Sequence, residues 1–196
     1  MALVKVTMEK LEDAYIVEKV KSGDRQLFAY LVNRHKQMVY RLCFRILGSN
    51  EEAEECAQDV FVKAYRSLGK FKGDSQFSTW LYRIAYNTSL TRLDKIKRKS
   101  FEALETNQMA ESVEPEGYMN LCHEEQKQYL NKALSLLAPE EKVLMELYYF
   151  KEMSLKEISE ITGKPENNIK VKIHRSRAKL KASMLQSLKH EIKSLL

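Results

Sequence analysis

The sequence is poor in glycine, proline and cysteine. Its 196 residues include six glycines and three prolines, whereas average proteins contain about 7% and 5% of these residues. Because folds with many β-turns need such residues, the composition favours long helices. The three cysteines, Cys43, Cys56 and Cys122, form no Cys-x-x-Cys pair and no even set for disulfides, which predicts a reduced, cytoplasmic setting.

Long apolar runs are also missing. No segment approaches the roughly 18 consecutive apolar residues that a membrane-spanning helix needs. The first ten residues have no apolar core of the signal-peptide type, so we expect neither secretion nor membrane insertion. Apolar residues make up 44% of the chain and charged residues 31%, which is enough for the core of one or two soluble domains.

Charge is distributed in three blocks. Residues 1–100 carry a net charge of +7, residues 101–126 carry −7 with no lysine or arginine, and residues 127–196 carry +6. The acidic stretch includes Pro115 and Gly117 and lacks apolar periodicity, which predicts a flexible linker over 100–121 between domains at 1–99 and 122–196. This linker is either a plain solvated tether or a negative segment that acts near a nucleic-acid path. The two basic blocks favour a polyanionic partner.

The first block has the apolar spacing of a helical bundle. Apolar residues recur every three or four positions over about 9–21, 24–47, 50–68 and 76–99. Asp24 and Asn50 are candidate helix caps. The last helix ends in five cations within eight residues, more than a helix dipole requires, which favours phosphate contact.

A glycine-framed loop at 69–75 carries one large aromatic residue, Phe71. Such a ring can plug the bundle, or it can receive an unstacked base. The pattern leaves both interpretations open. Phe77 and Trp80, which follow the loop on an apolar stripe, are predicted to lie in the core.

The second block has the pattern of a helix-turn-helix. Pro139 suits the first turn of a helix, and Ser154 with Glu157 forms a predicted capping box for a short helix. Gly163 then suits the left-handed residue that ends that helix. The next helix is basic, with seven Lys or Arg and one Glu between 164 and 181. The sequence as a whole therefore predicts an all-α fold of two small helical domains, the second of which places a basic helix in the DNA major groove.

Together the two blocks resemble the bacterial extracytoplasmic-function (ECF, group 4) sigma factors, over about residues 9–99 and 122–185. The most specific match is the string from Phe71 to Asn87. Four segments carry the resemblance: Gly23-Asp24 with Leu27-Phe28; Ala53-Glu54-Glu55 with Gln58-Asp59-Val60-Phe61 and Ala64-Tyr65-Arg66; Phe71–Ser75 with Phe77 and Thr79–Ala85 and Asn87; and Leu134–Leu137 with Pro139 and Ser154–Gly163.

The resemblance implies a four-helix region 2, a helix-turn-helix region 4 and a non-enzymatic role in promoter recognition and melting, without cofactor or metal. It implies that the core RNA polymerase is bound through its β′ clamp helices and β flap, that promoter DNA is bound, and that an anti-sigma factor is a partner. The acidic linker would run toward the RNA exit channel. The implied site residues are Gln58, Asp59 and Phe61 for polymerase; Lys63, Phe71, Lys72, Ile84, Asn87 and Arg92 for the −10 element; and Asn168, Lys170, Val171, Lys172, His174, Arg175 and Arg177 for the −35 element.

The chain departs from the family pattern at the start of the −35 helix. Many members have Ser-x-Gly-Thr-Val where this chain has Pro165-Glu166-Asn167-Asn168-Ile169, and Val171 occupies a position that is often serine. These changes leave the −35 sequence open. The adjacent Cys122 and His123 are too few for a tetrahedral metal site.

Two other classes of function compete with a sigma factor. A stand-alone helix-turn-helix regulator would bind duplex DNA without core polymerase. An enzyme would need a nucleophile–base set, a phosphate loop or a metal motif, and the sequence contains none of these. The string at 71–87 favours the sigma factor, because a dimerisation domain does not require an aromatic loop.

Overall fold

The computed structural model describes residues 12–103 and 133–194. The chain divides into two compact units, Met1–Ser112 and Val113–Leu196. The described residues contain helices and no β-strand, which confirms the predicted all-α fold with two helical domains. In those same residues no helix is both long enough and apolar enough to cross a membrane. The acidic linker and the Cys122–His123 pair lie outside the described residues.

Four α-helices are described in the first unit, and their amphipathic patterns decide how they pack. Helix α2 buries residues spaced by three or four, such as Leu31, Val39 and Ile46, and the same spacing on α3 buries Val60 and Ala64. Helices α2, α3 and α4 pack against one another in every pairing. In chain order the elements are α1 (Asp13–Lys21), a 3₁₀ turn (Arg25–Leu27), α2 (Phe28–Leu47), α3 (Asn50–Ser67), a 3₁₀ turn (Leu68–Lys70) and α4 (Phe77–Ala103).

The core of this bundle includes two thiols. Cys43 of α2 and Cys56 of α3 are free and fully buried, as expected for a chain without disulfides in its described part. The Cys56 sulfur lies 3.5 Å from the hydroxyl oxygen of Ser89 on α4, so this contact joins α3 to α4. The hydrogen bond with Cys43 lowers the pKa of Cys56 to about 7.

The α2–α3 turn shows how local sequence sets helix ends. Gly48 has a φ of 73°, a left-handed conformation that glycine adopts at little cost after a helix. Ser49 is the N-cap of α3, and its hydroxyl accepts a hydrogen bond from the Glu52 amide at 3.4 Å. The prediction that Asn50 is the cap was therefore wrong by one residue. Asn50 is the first helical residue, and its side-chain oxygen accepts a bond from the Tyr40 hydroxyl at 2.8 Å.

The second unit begins its described part at residue 133 and contains the predicted helix-turn-helix. Helix α5 (Pro139–Met145) continues into a π-helical turn (Glu146–Phe150), and α6 (Leu155–Thr162) and α7 (Glu166–Ser194) follow. Pro139 occupies the first turn of α5. The predicted capping box is present, because the Ser154 hydroxyl accepts from the Glu157 amide at 3.2 Å and the Glu157 carboxylate accepts from the Ser154 amide at 2.9 Å.

The helix-turn-helix turn is set by Gly163, whose φ of 69° ends α6. Pro165 then precedes α7, which buries Ile169, Ile173 and Ser176 against the rest of the unit. Helix α7 runs to Ser194, well beyond the predicted end near 181. No glycine or proline interrupts that extension, so nothing in the local sequence stops the helix.

Candidate nucleic-acid and partner-binding surfaces

The surface of α3 presents the residues predicted to bind polymerase. Gln58 and Asp59 are exposed, and Phe61 is half-buried. Phe61 lines an open apolar groove between α2 and α3, together with Phe28 and Val32 of α2 and the exposed side chains of Val62 and Tyr65. Arg25 and Arg66 also line the groove. No role was predicted from the sequence for the α2 side of this groove.

Arg92 of α4 is bound by three carboxylates of α3. Its guanidinium donates to Glu52 and Glu55, and it lies 3.5 Å from the Asp59 carboxylate. The hydrogen bond to Glu52, the largest cause, raises the pKa of Arg92 further above its usual value. The structure thus places this predicted −10 residue in an ion-pair network that joins α3 to α4.

The ring of Phe71 lies inside the bundle. Of the two arrangements that the sequence left open, the structure therefore has the one in which the ring plugs the bundle. Its side chain is only 7% exposed. The ring centroid lies 5.2 Å from that of Trp80 and 5.9 Å from that of Phe77. The Lys21 ammonium lies 5.7 Å from the ring centroid and donates to the Phe71 carbonyl at 2.8 Å. Lys72, the next residue, is exposed. Phe77 is buried as predicted, whereas Trp80 is half-buried.

The remaining residues predicted for the −10 element lie where α3 meets α4. The Lys63 ammonium donates to the Thr88 hydroxyl at 3.2 Å, and Thr88 directly follows Asn87 on α4. Asn87 is exposed and Ile84, nearly one turn earlier on α4, is half-buried. Lys63 therefore contacts α4 within about one helical turn of both Ile84 and Asn87.

Helix α7 presents most of the residues predicted for the −35 element to solvent. Because an α-helix turns by about 100° per residue, the side opposite the buried Ile169 and Ile173 carries residues 167, 171, 174, 175 and 178. Six of the seven residues predicted for the −35 element are exposed: Asn168, Lys170, Val171, His174, Arg175 and Arg177. Within the described part of the chain, Lys170, Arg175 and Arg177 form no ion pair.

Among the residues predicted for the −35 element, Lys172 is the exception, because it is bound by a carboxylate of its own unit. Glu140 of α5 bonds both Lys164 and Lys172, and Glu141 bonds Lys179 at 2.7 Å. The hydrogen bond to Glu140 raises the pKa of Lys172. Burial alone would raise the pKa of Glu141, but the bond and charge of Lys179 outweigh it and lower that pKa. These pairings were not predicted from the sequence.

Family models match both units. The model for Sigma-70 region 2 matches residues 31–99, and the model for Sigma-70, region 4 matches residues 127–180. The ECF RNA polymerase sigma factor SigW of Bacillus subtilis is 33% identical over 178 residues, which cover 86% of this chain and 94% of SigW. This chain belongs to the ECF sigma factor family.

A second ECF sigma factor is similar over nearly its whole length. The ECF RNA polymerase sigma-E factor of Escherichia coli K12 is 33% identical over 181 residues, which cover 86% of this chain and 92% of that protein. Among solved structures, the sigma factor RpoE in complex with the anti-sigma factor NepR from Bartonella quintana superimposes with a TM-score of 0.65 at 20% identity, covering 80% of this chain and 96% of that one. CnrH, in complex with the cytosolic domain of CnrY, has a TM-score of 0.62 at 22% identity over 89% and 97% of the two chains. At these identities the two structures support the fold alone.

Proposed function

We propose that this ECF sigma factor is a group 4, signal-responsive and non-catalytic subunit that gives cytoplasmic core RNA polymerase its promoter specificity and melts the promoter. One observation carries the proposal: the region 2 match falls on the first helical unit and the region 4 match falls on the second. A stand-alone regulator needs only the second. The boundaries 1–99, 100–121 and 122–196 are part of this proposal.

The proposed polymerase contact is the surface of α3 around Gln58, Asp59 and Phe61, which would bind the β′ clamp helices. Phe61 supports this role because it opens into an apolar groove whose other members include the exposed Val62 and Tyr65. Exposed apolar area flanked by polar residues is typical of protein interfaces. The second unit would bind the β flap.

The proposed −10 contact is the α3–α4 surface of Lys63, Ile84 and Asn87, together with Lys72 of the loop. Because the Phe71 ring is buried among aromatic residues, we assign it the role of supporting this loop from beneath. Because Arg92 is bound by three carboxylates, we assign it to holding α3 against α4 rather than to direct DNA contact.

The proposed −35 contact is the outward side of α7, with Asn168, Lys170, Val171, His174, Arg175 and Arg177. By helical angle Arg175 lies near the outward direction, while Arg177 lies at the flank. We therefore expect Arg175 to reach base edges and Arg177 to bind phosphate. Lys172 would act through its ion pair with Glu140, which orients α7.

These two arginines form a matched pair for a test. Arg175→Ala should cost about 1–3 kcal/mol of promoter binding and relax discrimination at one base pair. Arg177→Ala should weaken binding to all promoter sequences alike and reduce the slope of log affinity against log salt concentration by about 1. Equal behaviour of the two variants would contradict the assignment.

An anti-sigma factor is the remaining proposed partner, and the resemblance supports it. The structurally similar RpoE was solved with the anti-sigma factor NepR. A protein that holds this chain away from core polymerase would make its activity dependent on a signal.

The experiment for the function as a whole is run-off transcription with purified core polymerase and a genomic DNA library, followed by sequencing of the transcripts. The expected result is initiation from a limited set of promoters that share −10 and −35 elements. Tight binding to duplex DNA by the chain alone, without association with core polymerase, would instead support the stand-alone regulator.

A further inference from the structure

Val171 occupies the centre of the outward side of α7. At about 100° per residue it lies about 200° from Ile169 and about 160° from Ile173, the two buried residues that fix the inward direction. The Val171 side chain therefore points almost directly away from the core. Its side chain is 47% exposed.

The neighbours of Val171 are polar and carry hydrogen-bond donors. His174 and Arg175 lie one turn further along, on either side of Val171, and Asn168 lies one turn before it. All three are exposed. The result is a small apolar spot surrounded by side chains that can donate hydrogen bonds.

Helix stability does not explain a valine at this position. A β-branched residue is a poorer helix former than alanine or lysine. The side chain is about half exposed, so it is not a core residue of the described unit. A role at an interface accounts for both facts.

We propose that Val171 reads the 5-methyl group of a thymine in the −35 element. The inference rests on the proposed function, since it requires α7 to enter the major groove. Valine has no hydrogen-bonding group and cannot select a base by donors or acceptors. In the major groove the apolar group that distinguishes one base is the thymine methyl, and apolar side chains contact it. His174 and Arg175 would then fix the helix over that base pair.

The experiment uses holoenzyme reconstituted from the full chain and core polymerase. Duplexes with a randomised −35 element are selected by transcription. Each thymine of the selected element is then replaced, one at a time, by deoxyuridine, which differs only by the missing methyl group. At one position we expect initiation or binding to fall about fourfold, which is the loss of affinity that corresponds to removing one buried methyl-sized group. With Val171→Ala, which removes two of the three side-chain carbons, the ratio between thymine and deoxyuridine templates should fall toward one at that position.

Leu185→Ala is the matched control. Leu185 is an apolar residue that is 48% exposed. It lies on nearly the same side of α7 as Val171, about 21 Å further along the helix. This variant should keep the fourfold ratio between thymine and deoxyuridine. Val171→Ala raises helix propensity at an exposed position, so it should fold.

The outcomes separate this inference from the proposed function. If the holoenzyme initiates but no thymine is sensitive, or the selected element has none, or Val171→Ala keeps the sensitivity, the reading of the methyl group is overturned and the sigma function stands. If no initiation occurs with core polymerase, both are overturned.

Discussion

Replacing Arg92 by alanine should weaken the first unit by about 2 kcal/mol. The Arg92 side chain is 20% exposed and its partner Glu52 38%, so this charge-assisted pair is partly shielded from water and is expected to contribute about 1 kcal/mol or somewhat more. Glu55 and Asp59 are 69% and 61% exposed, and such pairs contribute only a few tenths of a kcal/mol each.

The chain offers a probe that is confined to this unit. Its single tryptophan is Trp80 of α4, so urea unfolding followed by tryptophan fluorescence reports on the first unit alone. With a urea dependence of about 1–3 kcal/mol per molar for a small domain, Arg92→Ala should lower the midpoint by about 1 M. The difference should shrink in 1 M salt, where the screening length falls to about 3 Å.

Arg83→Ala is the control, because Arg83 is exposed on the same helix and has no ion pair among the described residues. It should change stability by less than about 0.5 kcal/mol. Equal midpoints for Arg92→Ala and the unchanged protein would refute the network. If promoter affinity of the holoenzyme fell while stability did not, Arg92 would be a DNA contact instead.

Three further substitutions test other contacts. Asp13→Asn removes the carboxylate charge and one of the two oxygens that bond Arg34 and His35, and it should cost about 1–3 kcal/mol at pH 7. Burial alone would raise the pKa of Asp13, but these partners lower it. The stabilisation of the folded first unit by these contacts is therefore present above about pH 4 and is lost as the pH falls through the lowered pKa. Urea unfolding across that pH range measures this loss. Phe71→Ala should cost about 3–5 kcal/mol by Trp80 fluorescence, whereas full stability with impaired promoter opening would indicate a base contact. Ser154→Ala should cost about 1 kcal/mol and speed hydrogen exchange of the α6 amides; unchanged exchange would contradict the capping box.

Local patterns predicted most of the fold, because the interactions that set helix ends are local. The capping box at Ser154 and the left-handed Gly163 each depend on residues within four positions. Apolar spacing of three and four predicted α2 and α3 because burying such stripes stabilises a bundle. The extension of α7 to Ser194 was not predicted, because its expected end near residue 181 was placed where the run of basic residues stops and not at a residue that ends a helix.

The candidate site was less predictable, because its geometry depends on pairs far apart in sequence. Arg92 and Glu52 are separated by 40 residues, and Lys172 and Glu140 by 32. Composition identifies all four as charged but does not say which helices approach each other. The burial of Phe71 likewise depends on the packing of Phe77 and Trp80 beneath the loop, which a glycine-framed aromatic does not reveal.

The ion pairs of Glu140 and Glu141 have a consequence for how DNA binding responds to salt. Three of the seven Lys and Arg between 164 and 181, namely Lys164, Lys172 and Lys179, already have a carboxylate partner. Only cations that replace condensed counterions on DNA contribute to the salt slope, at about 0.9 per phosphate. Of the remaining four, Arg175 is assigned to base edges, so the other three would give a slope of about −2.7, whereas all seven would give about −6.3. Under the proposed −35 contact, fewer than half of these seven cations would therefore set the salt sensitivity of DNA binding.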